Sequence, residues 1–150
     1  MKTRGLLIAT LLVILNVVSM QAQEVKSSKF DFLLNTILKR NVPETDVKTL
    51  AESIDDYIIL DAREKREYEV SHLPNAVWVG YHDFDMTRVQ NIDPSKKVVV
   101  YCSVGARSEN VAAKLLENGF TDVHNLYGGI FEWVNEEKPV YDTKGKPTEK

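Results

Sequence analysis

Apolar side chains recur at helical spacing in "SSKFDFLLNTILKR" (27–40), where Phe30, Leu33, Leu34, Ile37 and Leu38 share one face behind a serine cap. The spacing predicts an amphipathic helix ahead of the domain proper. A second helix is predicted over 42–56, with Pro43 in its first turn and Val47, Leu50 and Ala51 on one face. The pattern then changes. "YIILDARE" (57–64) is a continuous apolar run ending in charge, as expected of a strand buried on both faces. A short polar helix, a turn at Pro74 and Asn75, and a second strand over 76–79 follow. After "DPSKK", residues 98–101 form a third buried strand, and Val111, Ala112, Leu115 and Leu116 stripe a helix that ends at Asn118 and Gly119. Residues 120–140 supply one more strand, a glycine pair and a last helix. Strands alternating with helices predict an α/β domain whose mostly parallel sheet is covered on both sides.

The ends of the chain read differently. Lys2 and Arg4 precede an apolar run over 6–18 and small or polar residues around Ala22, the pattern of a cleaved export signal. The alternative is an uncleaved anchor, although the run falls short of the roughly 18 to 20 apolar residues that span a bilayer. The expected organisation is a signal peptide over 1–22, an extension with the amphipathic helix over 23–43, the domain over 44–138, and a polar tail over 139–150 that frays. An exported protein follows, periplasmic by first expectation and otherwise secreted.

Composition narrows the function. With 43% hydrophobic and 27% charged residues in 150, the chain suits one globular domain. Loss of Lys2 and Arg4 with the signal takes the formal net charge from −3 to −5, which argues against nucleic acid or an anionic membrane as partner. The chain has one cysteine, so no internal disulfide forms.

That cysteine, Cys102, stands at the carboxyl end of a buried strand and before a helix, where open α/β sheets bind ligands. The backbone N–H groups of Ser103, Val104, Gly105, Ala106 and Arg107 would curl inward, and the helix dipole adds roughly half a positive charge. Such surroundings favour a thiolate over a thiol. Gly105 permits a backbone approach that a β-carbon would block, Arg107 brings a permanent cation that faces the sulfur or braces the loop, and Ser108 is placed to cap the helix. The alternative is a small buried cysteine packed as a hydrophobe. Tyrosine-type phosphatases place five residues between cysteine and arginine, whereas this loop has four, a ring better sized for one sulfur than for a phosphate.

Three segments in order, "YIILDAREKREYEVSHLPNAVWV", "CSVGARS" and "LYGGIFEWV", resemble the rhodanese family of single-domain sulfurtransferases over about residues 44–138. The resemblance implies a five-stranded, mostly parallel sheet with helices on both faces. It further implies that Cys102 carries sulfane sulfur as a persulfide from a donor, thiosulfate or a persulfide, to a thiol, cyanide or protein-thiol acceptor. No metal and no organic cofactor is required. Residues 103 to 108 would surround the substrate, with Asp61 and Arg63 in a supporting network. Two positions depart from the family: Ser103 and Val104 are neutral where thiosulfate-using members often carry cations, and Asn75 replaces a common glycine while tolerating the same left-handed turn. His72 fits the family's turn, His82 and His124 lack metal-ligand spacing, and Gly128 and Gly129 with Trp133 serve turn and core. The competing functions are a non-catalytic binding module on this fold and a small arsenate or phosphate-ester enzyme.

Overall fold

Val98, Val99, Val100 and Tyr101 are all apolar-bodied, so the strand they build cannot turn either face to water, and none of the four is exposed. In the computed structural model, which describes Val25 and residues 27–149, this strand is the centre of a parallel sheet. Its strands are β1 (Glu44–Thr45), β2 (Ile58–Asp61), β3 (Val77–Trp78), β4 (Lys97–Tyr101) and β5 (Asp122–Leu126), in the order β1-β5-β4-β2-β3. The helices are α1 (Ser28–Ile37), α2 (Val47–Glu52), α3 (Lys65–Val70), α4 (Ala106–Glu117) and α5 (Gly129–Asn135). The signal peptide expected over 1–22 lies outside the described residues.

Side-chain alternation sorts the core into two layers. Leu60, Val98, Val100 and Val123 meet Val111, Ala112 and Leu115 of α4. Ile59, Val99, Tyr101 and Leu126 meet Val47 and Leu50 of α2 with Ile130 and Trp133 of α5. The sheet is therefore covered on both faces. Register sets the neighbours at its carboxyl edge: Asp61 pairs with Tyr101, and Val100 with Asn125.

Four expectations are corrected. The helix expected over 42–56 is shorter, because Glu44 and Thr45 pair with Asn125 and Leu126 as an edge strand. Asp46, not Pro43, opens α2 by accepting from the Thr49 N–H at 2.7 Å. Ser27 occupies the cap position of α1 without a side-chain capping bond. The tail does not fray: Val140–Tyr141 (β6) and Pro147–Thr148 (β7) form an antiparallel hairpin. Val140 packs into the core beside Trp133, and Tyr141 exchanges backbone hydrogen bonds with His72. Asn75 takes φ of 57°, the left-handed turn expected of it.

Candidate active site

Cys102 is the first residue beyond β4, and the chain must reverse within three residues to start α4. Gly105 makes this reversal at φ of 117°, a conformation costly for any residue with a β-carbon, and occupies the helix N-cap. Its N–H donates to Cys102 Sγ at 3.1 Å. The first turn of α4 adds N–H groups that lack intrahelical acceptors and the positive end of the helix dipole. Cys102 itself is 1% exposed.

The loop is held from four directions. From α5, the Ile130 N–H donates to the Cys102 carbonyl at 2.9 Å and the Phe131 N–H to the Ser103 carbonyl at 3.1 Å. From α3, Glu67 accepts two hydrogen bonds from Arg107, at 2.8 and 3.0 Å. Arg107 also donates to Ser103 Oγ at 2.8 Å. From β5, Asn125 Nδ2 donates to the Gly105 carbonyl at 3.1 Å. From α1 and its C-terminal cap, Leu34 and Leu38 pack with Tyr127 against Val104 and Ala106.

Charge follows this geometry. The Arg107 hydrogen bonds hold the Glu67 carboxyl down at about 2, against a smaller opposing effect of burial. Arg107 is held more firmly protonated, chiefly by Glu67, with negative charge at Cys102 adding to the effect. The cation therefore braces the loop through Glu67 while its field reaches the sulfur.

Asp61 and Arg63 form a separate buried network. Arg63 donates to both Asp61 oxygens and, at 2.6 Å, to the Ser71 carbonyl. The Tyr101 hydroxyl donates to Asp61 Oδ2 at 2.5 Å and accepts from the Leu73 N–H at 3.2 Å. Burial and the Asp61 charge push the Tyr101 phenol far up, so it remains a donor. This network joins the ends of β2 and β4 beneath the loop.

Ser103, Val104, Gly105, Ala106 and Arg107 thus come together around Cys102. Ser108 does not cap α4: it lies inside the helix, fully buried, and donates to Asn125 Oδ1 at 2.6 Å. The helix starts three residues earlier than a cap at Ser108 requires, because Gly105 supplies the left-handed conformation at the N-cap. Sequence reasoning passed over Glu67, Asn125 and Tyr101. An asparagine inside the strand segment "DVHNL" was the available signal for Asn125, whereas nothing local to Glu67 points to Arg107.

Residues 45–136 match the family described as Rhodanese-like domain. The tRNA uridine(34) hydroxylase of Cytophaga hutchinsonii is 38% identical over 88 residues, which cover 55% of this chain and 28% of that protein. The enzyme of the same name from Hamiltonella defensa is 38% identical over 91 residues, 55% of this chain and 25% of its own length. The chain therefore spans only about a quarter of these curated relatives. A Bacillus halodurans protein of known crystal structure is similar at a TM-score of 0.63 and 26% identity, over 77% of this chain and 88% of that one. The thiosulfate sulfurtransferase of Pseudomonas aeruginosa reaches 0.61 at 23% identity, over 82% of this chain and 24% of that one, a likeness of fold alone.

Proposed function

Because the chain belongs to the rhodanese-like domain family, we propose that it is an exported sulfurtransferase that carries sulfane sulfur on Cys102. The observation that supports this reading is the Gly105 N–H aimed at Cys102 Sγ at 3.1 Å, at the mouth of α4 and inside a loop braced from four elements. A sulfur anion is stabilised there by fixed dipoles that need no rearrangement during reaction.

In the first half-reaction the Cys102 thiolate attacks the outer sulfur of the donor. The donor's S–S bond breaks, and its remaining fragment leaves with the electron pair as sulfite, from thiosulfate, or as a thiolate, from a persulfide. Cys102 is left as an anionic persulfide beside the same N–H groups. In the second half-reaction a thiolate or cyanide attacks the terminal sulfur, and the Cys102 thiolate is regenerated. Arg107 keeps the loop in register through Glu67 and offsets the negative charge. Neutral Ser103 and Val104 favour a persulfide donor over thiosulfate, and the basic residues Lys2 and Arg4 ahead of an apolar run over 6–18 support export.

Incubation of the purified protein with a persulfide or thiosulfate donor, followed by intact mass measurement, tests this reading. Wild type is expected to gain one sulfur atom that cyanide removes, and Cys102→Ala to gain none. No gain with any donor favours the second reading, a non-catalytic binding module, to which the near-complete burial of Cys102 lends support.

A further inference from the structure

The matched family segment begins at residue 45, so α1 and the residues that follow it lie outside that segment. One of them is strained. Arg40 adopts φ of 54°, the left-handed region that a β-carbon disfavours, and a conformation of that kind persists where the contacts around it over-determine it. Here the contacts are a closed ring of hydrogen bonds. Arg40 Nη2 donates to Asn35 Oδ1 at 2.6 Å and to the Tyr127 hydroxyl at 2.9 Å. That hydroxyl donates in turn to Asp31 Oδ1 at 2.8 Å, and Asp31 Oδ2 accepts from Asn35 Nδ2 at 3.0 Å. The guanidinium also lies over the Tyr127 ring, 5.0 Å from its centroid. Burial and the Asp31 carboxylate push the Tyr127 phenol up to about 12, so it stays a donor to Asp31.

Tyr127 is the first residue beyond β5 and is fully buried, so the ring ties α1 to the end of an inner strand. What the tie holds in place is the sulfur loop. A β-carbon on Gly105 would lie 3.3 Å from Leu38 Cδ2, and Leu38, Leu34 and Tyr127 pack against Val104 and Ala106, the residues on either side of Gly105. The Lys39 N–H, between Leu38 and Arg40, donates to Glu109 Oε2 at 3.0 Å in the first turn of α4. Leu38 is thus seated on the backbone of the residue whose N–H points at Cys102 Sγ at 3.1 Å. A donor to a sulfur anion is only as good as its aim, and the aim of a loop amide is set by what its backbone rests against.

Building on the sulfurtransferase reading, we propose that Arg40 and Tyr127 are positioning residues for the reaction at Cys102: the ring they close with Asp31 and Asn35 fixes α1, and Leu38 at the end of α1 keeps the Gly105 N–H aimed at the sulfur. Neither residue touches the reacting atoms. Their effect reaches the sulfur anion through the Gly105 amide.

Two substitutions separate the tether from the packing. Tyr127→Phe keeps the aromatic ring that packs on the loop and removes the hydroxyl that joins Asp31 to Arg40. Arg40→Gly tolerates φ of 54° and removes the guanidinium, so loss of the tether is read without added backbone strain. In both variants the NMR resonance of the Gly105 amide should move toward its position in Cys102→Ala, which has lost the sulfur acceptor. Hydrogen exchange of that amide should accelerate about tenfold relative to the amides of β4. Sulfur loading in a single turnover at saturating donor, with whichever of thiosulfate or a persulfide loads wild type, should slow about tenfold. An unchanged Gly105 resonance and exchange rate in either folded variant overturns the proposal, as does loading at the wild-type rate in a variant whose Gly105 amide has moved. If the amide responds as expected while no donor loads wild-type Cys102, the positioning of Gly105 stands and the sulfurtransferase reading fails.

Discussion

A β-carbon on Gly129 would lie 2.4 Å from the carbonyl oxygen of Cys102. The first residue of α5 is thus pressed against the backbone of the residue that carries the sulfur, and the same approach lets the next two N–H groups hold the loop carbonyls. Gly129 also adopts φ of 58°. Gly129→Ala therefore combines a backbone clash with a left-handed alanine, and a loss of about 3 kcal/mol in stability is expected. Urea unfolding measures it, and intact mass should show reduced sulfur loading in the fraction that folds. A variant as stable and as readily loaded as wild type would contradict the contact.

Glu67 gives a pH signature. Its carboxyl stands at about 2 in the folded protein, against 4.5 ordinarily, because of the Arg107 hydrogen bonds. A depressed folded value means that the contribution is fully present above about pH 4.5 and fades as pH falls toward 2. For this partly exposed pair it is of order 1 kcal/mol after solvent screening. Glu67→Gln should be less stable than wild type by that amount at pH 6, and the difference should vanish near pH 2. A difference that does not change with pH would rule out the ion pair as its source.

Asn125 clamps the loop by donating to the Gly105 carbonyl while accepting from Ser108. Asn125→Ala leaves both groups buried without these partners, a cost of about 1–3 kcal/mol. Asn125→Asp retains the acceptor for Ser108 but cannot donate to Gly105 as a carboxylate, so it should not restore stability at neutral pH. Chemical denaturation of the two variants decides the matter, since a stable aspartate variant would assign the whole effect to Ser108.

The network under the loop should act on stability before chemistry. Arg63→Ala strands the buried Asp61 carboxylate and is expected to cost about 3–5 kcal/mol. Tyr101→Phe removes one donor to Asp61 and the acceptor of the Leu73 N–H, and should cost about 1–2 kcal/mol. Where Tyr101→Phe remains folded, Cys102 should still take up sulfur at close to the wild-type extent. Loss of loading in a fully folded Tyr101→Phe protein would assign the phenol a direct role in the reaction.

Leu34 of α1 and Leu38, the residue that ends it, pack with Tyr127 against Val104 and Ala106, the neighbours of Cys102 in the loop and first helical turn. Leu38→Ala should destabilise by about 2–4 kcal/mol and loosen this cover. Alkylation of Cys102 in the native protein should then accelerate severalfold, with no change in the denatured rate. An unchanged native rate at lower stability would show that α1 does not limit access to the sulfur.

The strands β2 and β4 were legible because a run with no polar position, such as 98–101, has no solution except burial on both faces. The apolar stripe of α4 and the left-handed turn at Asn75 were legible for similarly local reasons, periodicity in one case and backbone tolerance in the other. The sequence also placed Cys102 between a buried strand and a helix, which fixes its position at a sheet edge. Other features depended on residues far apart in the chain. Glu44 and Thr45 form a strand only because β5 offers an open edge, and the tail becomes a hairpin only where Val140 finds Trp133 and Tyr141 finds His72. Ser108 could not be recognised as a core residue until Asn125 was beside it. The pairing of Glu67 with Arg107 and the pressure of Gly129 on Cys102 likewise come from chain segments that meet only after the sheet has set their spacing. Local pattern determined which backbone each segment adopts, and tertiary structure decided which side chains hold the sulfur loop, because hydrogen bonds and steric contacts between distant segments exist only in three dimensions.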